Sequence, residues 1–161
     1  MFNFKAEFYL KIIFLFSFIS LISAFFIEHV LGHQPCNLCL IERIPYGLSI
    51  MIIMAIFLIK KNQKFFVLLL ILTFTFSFAI SFYHFGIEQG FFQESSVCGV
   101  KSLTESFTKE DLLKQLSEKT ISCRDVTFRI FGLSLTSINI VISLLFIITL
   151  LNIFKKYEKN K

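Results

Sequence analysis

The residues best suited to chemistry in this chain are four cysteines, Cys36, Cys39, Cys98 and Cys123, together with Arg43 and His84. Cys36 and Cys39 form a C-x-x-C inside the stretch GHQPCNLCLIERIPYG, Gly32 to Gly47, which also holds both prolines of the chain. In a helix, residues three, four and seven apart share a face, and Cys36, Cys39 and Arg43 have that spacing. A thiolate at a helix N-terminus is favoured by the unpaired N–H groups and the dipole. A guanidinium one turn further on adds a positive charge that cannot be titrated away. Pro35 suits a helix start. Pro45 has no N–H for the Ile41 carbonyl and predicts a kink.

Three chemistries fit such a C-x-x-C: a redox-active dithiol, a structural disulfide, or half of a four-cysteine zinc site. Zinc is disfavoured because Cys98 and Cys123 do not form a second C-x-x-C, and no metal site is expected. A bond between Cys98 and Cys123 would brace the polar segment between them by about 3 kcal/mol on chain-entropy grounds. The same bond would also be open to attack by a protein thiol from the aqueous side. Two cysteine pairs at different depths suggest a relay by thiol–disulfide exchange, and such a relay needs a final electron acceptor. The chain has no flavin or haem motif; Leu40 follows Cys39, so C-x-x-C-H is absent. A lipid-soluble quinone suits a cysteine pair at the bilayer edge. Arg43 and His84 are the residues placed to polarise its carbonyl, ahead of Glu28 and His29.

The elements that position these residues are apolar. The chain has 161 residues, 55% hydrophobic and only 17% charged, with 23 Phe. Globular chains average about 25% charged, so this composition predicts an integral membrane protein, a single all-α domain over 1–161. Four runs, at about 12–31, 40–59, 65–85 and 133–154, predict a four-transmembrane-helix bundle. A short outer loop at about 32–43 carries the C-x-x-C, and a long outer loop covers about 86–132. Within the latter, TKEDLLKQLSEKTI offers Thr108 as N-cap and Leu112, Leu113 and Leu116 at helical spacing, predicting a short surface helix. A cleaved leader is not expected, because the first run is long and lacks a small-residue cleavage pattern.

The net charge of +5 is not read as nucleic-acid binding, because the cations follow membrane topology. KKNQK, Lys60 to Lys64, joins the second and third runs; KKYEKNK, Lys155 to Lys161, ends the chain; Lys5 and Lys11 precede the first run. The rule that cationic loops stay inside makes that side cytoplasmic, with both termini there. All four cysteines then lie on the outer side, where disulfides persist.

PCNLCLIER, with Pro35, Cys36, Cys39, Glu42 and Arg43, the order of the two cysteine pairs, and CRDVTFRIFGL, Cys123 to Leu133, resemble the DsbB family of bacterial disulfide-bond formation proteins over essentially the whole chain. The resemblance implies an enzyme of the bacterial inner membrane that reoxidises a periplasmic thioredoxin-fold partner of DsbA type and passes the electrons to ubiquinone or menaquinone. It implies disulfides Cys36–Cys39 and Cys98–Cys123. Cys98 would form the mixed disulfide with the partner, and Cys123 would attack Cys36. Cys39 would face the quinone with Arg43 beside it, and His84 matches a histidine implicated in quinone binding. The related DsbI-type branch has other partners. Two alternatives are a vitamin K epoxide reductase-like thiol enzyme, in which the C-x-x-C comes late in the chain, and a non-enzymatic membrane protein with two structural disulfides.

Overall fold

The computed structural model describes residues 4–59, 62–93, 98, 122–124, 129, 130 and 132–159. The surface helix expected after Thr108 lies outside the described residues, as do Lys60 and Lys61. Four long helices carry the fold: α1 Phe4–His29, α2 Asn37–Leu58, α3 Gln63–Glu88 and α4 Leu135–Lys159. Each is apolar and long enough to cross a membrane, whose hydrocarbon core needs about 20 helical residues. The protein is a four-helix membrane bundle. A two-stranded antiparallel ribbon, β1 Arg129–Ile130 with β2 Leu133–Ser134, turns through Gly132 (φ +83°) into α4. Ser134 then caps α4, its Oγ accepting from the Ser137 N–H at 3.2 Å.

The helices are not equally engaged. The α3–α4 contact is the most extensive, α2 packs on α3 and α1 on α2, while α1 and α4 barely meet. Among the described side chains of α1 the buried ones are Ala6, Leu10, Ile13 and Ser17, one stripe at three- and four-residue spacing. Beyond Ser17 no α1 side chain is fully buried, so the C-terminal half of α1 stands off from α4. Large apolar side chains such as Phe18, Ile22, Met51, Leu72 and Leu145 point outward, as membrane-facing residues do in a fold surrounded by lipid.

The interior divides by depth. The inner part is apolar, with Leu10, Ile53, Ile56, Leu70, Phe74 and Leu150 almost wholly buried. Towards the cysteine-bearing end it becomes a hydrogen-bonded polar seam. Ser49 bonds Ser17 at 3.0 Å, Ser143 bonds Ser77 at 3.2 Å, and Asn139 donates to Ser81 at 2.7 Å. The Tyr46 hydroxyl donates to Asn139 Oδ1. Buried polar groups in an apolar surrounding must find partners, and these pairs tie all four helices together while meeting that demand.

Two boundaries matter for the site. α2 starts at Asn37, ahead of the expected 40, so Cys39 and Arg43 are both helical, and it continues through Pro45 as one helix. α3 runs on to Glu88, beyond the expected 85, so His84 sits inside the helix rather than at its end. The extra turn is locked by Gly86. The Phe91 and Phe92 N–H groups return to its carbonyl at 2.8 and 3.1 Å, and the Phe92 ring occupies the space a Cβ would need.

Candidate active site

Cys36 is the N-cap of α2, with extended backbone (φ −72°, ψ 166°), and its Sγ accepts the Cys39 N–H at 3.2 Å. Pro35 and the small sulfur side chain suit this position, since the cap must turn the chain and satisfy an orphan donor. Cys36 and Cys39 are free thiols with sulfurs 2.7 Å apart. Cys36 is buried and Cys39 half-buried.

Behind Cys36 stands His84. Its Nε2 lies 3.7 Å from Cys36 Sγ, while its Nδ1 donates to Glu42 Oε1 at 2.8 Å. Thr136 Oγ is also near Nδ1, at 3.3 Å, and donates to Glu88 Oε1 at 2.7 Å. Glu42 Oε2 accepts from Asn139 at 3.3 Å. A carboxylate on Nδ1 fixes the imidazole's orientation and leaves Nε2 for the sulfur, the logic of a base held by an acid. The Cys36 thiol is pushed down to about 4. The hydrogen bond from Cys39 is the largest cause; His84 and the Cys39 N–H add to it, against the opposing effect of burial. The cluster thus stabilises a thiolate at Cys36.

Cys39 faces a different space. A cavity of 370 Å³ lies between α1, α2, α4 and the short loop, where α1 stands off from α4. Its apolar wall includes Ile19, Ala24, Ile27, Ile138 and Ile142, and its polar rim His33, Gln34, Cys39, Glu42 and Arg43. Arg43 Nη1 donates to Glu28 Oε2, and its Cζ lies 5.4 Å from the centre of the Phe25 ring. The arginine charge is therefore anchored to α1 at the cavity mouth. This volume and mixed lining are typical of a small-molecule site. They suit a flat apolar ring with polar edge atoms, and the weak α1–α4 contact gives a path from the lipid.

Cys98 and Cys123 are joined by a disulfide, and both are buried. All four cysteines share one cluster with Leu38, Ile41, Ile80, Tyr83 and Ile87. The fold therefore brings together the six residues singled out in the sequence, but on two sides: Cys39 and Arg43 on the cavity, His84 against Cys36 and outside the cavity lining. Sequence reasoning gave no role to Glu42, Glu88, Thr136 or Asn139. The available signal was an acid within an apolar span, which by itself marks a functional site; Glu42 meets it, and Glu88 lies one turn beyond His84.

The family described as "Disulfide bond formation protein DsbB" matches residues 6–153. The chain is also 29% identical over 147 residues to "Uncharacterized protein RP370" of Rickettsia prowazekii (strain Madrid E), covering 90% of this chain and 86% of that one.

Proposed function

The chain belongs to the DsbB family of disulfide bond formation proteins, and from that membership we propose that it reoxidises a periplasmic thioredoxin-fold partner of DsbA type and delivers the electrons to a membrane quinone. That it is a membrane oxidoreductase of disulfide-bond formation follows from the family and the four spans. The observation that carries the finer reading is the shared cluster of both cysteine pairs, with Cys39 on a lipid-accessible cavity beside Arg43.

In this reading a partner thiolate attacks Cys98, the Cys98–Cys123 bond breaks, and Cys123 leaves as a thiolate. The partner's second thiolate then attacks the mixed disulfide and departs oxidised. Cys123 attacks Cys36 of a Cys36–Cys39 disulfide, Cys39 leaves as a thiolate, and Cys98 re-forms its bond to Cys123, releasing Cys36. Two electrons now reside on the C-x-x-C as a dithiol. A bound quinone would take up this electron pair and two protons. Arg43, with Gln34 and His33 at the rim, would hold its polar edge, and the α1 and α4 side chains would hold the ring. His84 serves Cys36: held by Glu42, it stabilises the thiolate that Cys36 carries until the Cys36–Cys39 bond re-forms. The cysteine-bearing end faces the periplasm and both termini the cytoplasm, in keeping with the lysines of KKNQK and KKYEKNK.

The test mixes purified protein with a reduced thioredoxin-fold donor and a soluble quinone. Quinone reduction coupled to donor oxidation is expected; donor oxidation without quinone consumption would refute the acceptor, and no oxidation at all would refute the enzyme reading.

A further inference from the structure

We propose that the reduced Cys36–Cys39 pair and His84 form a binding site for a thiophilic divalent cation of the zinc class, which holds the pair reduced and closes the electron exit. Cys36 Sγ, Cys39 Sγ and His84 Nε2 all lie within 4.8 Å of one another. They come from the start of α2 and the outer end of α3, so the fold, not the C-x-x-C alone, creates the set.

Three features make the arrangement resemble a prepared ligand set. The first is orientation. Glu42 and Thr136 occupy the Nδ1 side of His84, at 2.8 and 3.3 Å, and turn Nε2 towards the sulfurs. A carboxylate behind a histidine in this way is the usual support of a metal-ligating imidazole. The second is a spare donor. Glu88 Oε1 stands 3.9 Å from Nε2, and among the described residues its buried Oε2 has no hydrogen-bond partner. A carboxylate next to the imidazole of a two-sulfur, one-nitrogen set can swing in to complete a four-coordinate site. The third is charge. Two thiolates neutralise a divalent ion, and the nearby Arg43 is already paired with Glu28. One adjustment is required. Zinc–sulfur bonds of about 2.3 Å in a tetrahedron set the sulfurs about 3.7 Å apart, against the 2.7 Å between them here. Rotation of one cysteine side chain about its Cα–Cβ bond supplies that opening.

Binding forms two metal–sulfur bonds and one metal–nitrogen bond and releases to solvent any proton still held by the two thiols. No electron moves. The Cys36–Cys39 disulfide has no thiolate to offer, so metal binding and disulfide formation exclude each other. Cys98 and Cys123, bonded to each other, contribute no ligand.

The test uses the full-length chain in detergent, stripped of quinone, with Cys98→Ser and Cys123→Ser so that the C-x-x-C holds the remaining thiols. The protein is reduced, freed of reductant without air, and titrated with Co²⁺. The expected result is one equivalent bound, with a thiolate-to-cobalt charge-transfer band and the visible bands of tetrahedral cobalt, both lost when Zn²⁺ is added. Re-forming the disulfide with diamide should abolish binding in the same, unaltered fold. Glu42→Gln should weaken binding by about 10- to 100-fold, the usual effect of losing a support behind a ligand. The proposal is overturned if the reduced protein gives no charge-transfer band, if the oxidised protein binds equally well, or if His84→Ala leaves the affinity unchanged. Neither quinone nor partner enters the titration, so its outcome is separate from that of the quinone-reduction assay.

Discussion

Glu42→Gln isolates the contribution of the Cys36–His84–Glu42 arrangement, because it keeps the side chain's shape and removes its charge. Glu42 Oε1 accepts from His84 Nδ1 at 2.8 Å and, with the Thr136 hydroxyl at 3.3 Å, turns Nε2 towards Cys36. A hydrogen bond to a charged group contributes about 1.5–3 kcal/mol. If that support is lost while Cys36 is held as the attacking thiolate, the barrier rises by a comparable amount. At about 1.4 kcal/mol per tenfold in rate, closure of the Cys36–Cys39 disulfide slows by roughly one to two powers of ten. The fold should survive, since Asn139 keeps its 2.7 Å bond to Ser81 when its 3.3 Å contact with Glu42 weakens. The assay is a single turnover: prereduced protein is mixed with a soluble quinone and the quinone absorbance followed. Exchange of the partner at Cys98–Cys123 provides the internal control, because no step there uses Glu42. An unchanged closure rate in a folded variant refutes the role assigned to His84; a loss of partner exchange as well shows that the substitution acted on structure.

The remaining predictions address the other parts of the relay. Cys123→Ser should accumulate a covalent partner adduct at Cys98, read by gel shift and mass spectrometry; an adduct at Cys36 instead refutes the order of transfer. Arg43→Ala should raise the quinone KM while both disulfides still form, and unchanged kinetics would remove Arg43 from the acceptor site. The Cys36 thiol is held down to about 4, so its thiolate is complete at neutral pH and is lost only as the pH falls through that value. Alkylation of reduced Cys36, followed by peptide mass, should therefore stay level from neutral pH down to about pH 5, whereas an ordinary cysteine, with a pKa of about 8.5, loses tenfold per unit over that range. A steady decline from neutral pH contradicts the stabilisation by Cys39 and His84.

The bundle was legible because each span is an unbroken apolar run, and a run of that length has few other solutions than a membrane helix. The start of α2 was nearly legible, since Pro35 followed by a capping side chain at Cys36 marks a helix entry. The outer end of α3 was not. The apolar run stops at Phe85, yet Ile87 is buried and Gly86 is needed where the Phe92 ring packs; that contact depends on the chain turning back, which periodicity does not encode. For the same reason the sequence sets Cys36, Cys39 and Arg43 on one face of α2 but does not show His84 against Cys36. Helical spacing reveals neighbours on the same helix, whereas the partners of Cys36 and Arg43 come from other helices: His84 from α3 and Glu28 from α1.

Those partners divide the C-x-x-C into two chemical environments. Cys39 opens onto a cavity whose polar rim includes Arg43, fixed by Glu28, and whose walls are lipid-like. Cys36 lies outside the cavity lining, against His84, whose neighbours are Glu42, Thr136 and Glu88; Glu42 and Thr136 also reach the cavity. A group that must meet a hydrophobic acceptor is better served by an apolar opening, and a group that must stand as a thiolate by hydrogen-bond donors that hold its charge. Placing the two sulfurs at the N-cap and in the first turn of one helix lets each have its own surroundings while they remain in contact at 2.7 Å. The division has a kinetic consequence: substitutions on the Arg43 side should act through acceptor binding, and substitutions on the His84 side through closure of the disulfide. Glu42 lines the cavity beside Arg43 as well as holding His84, so the doubly altered Arg43→Ala/Glu42→Gln protein should depart from additivity, as neighbouring sites do.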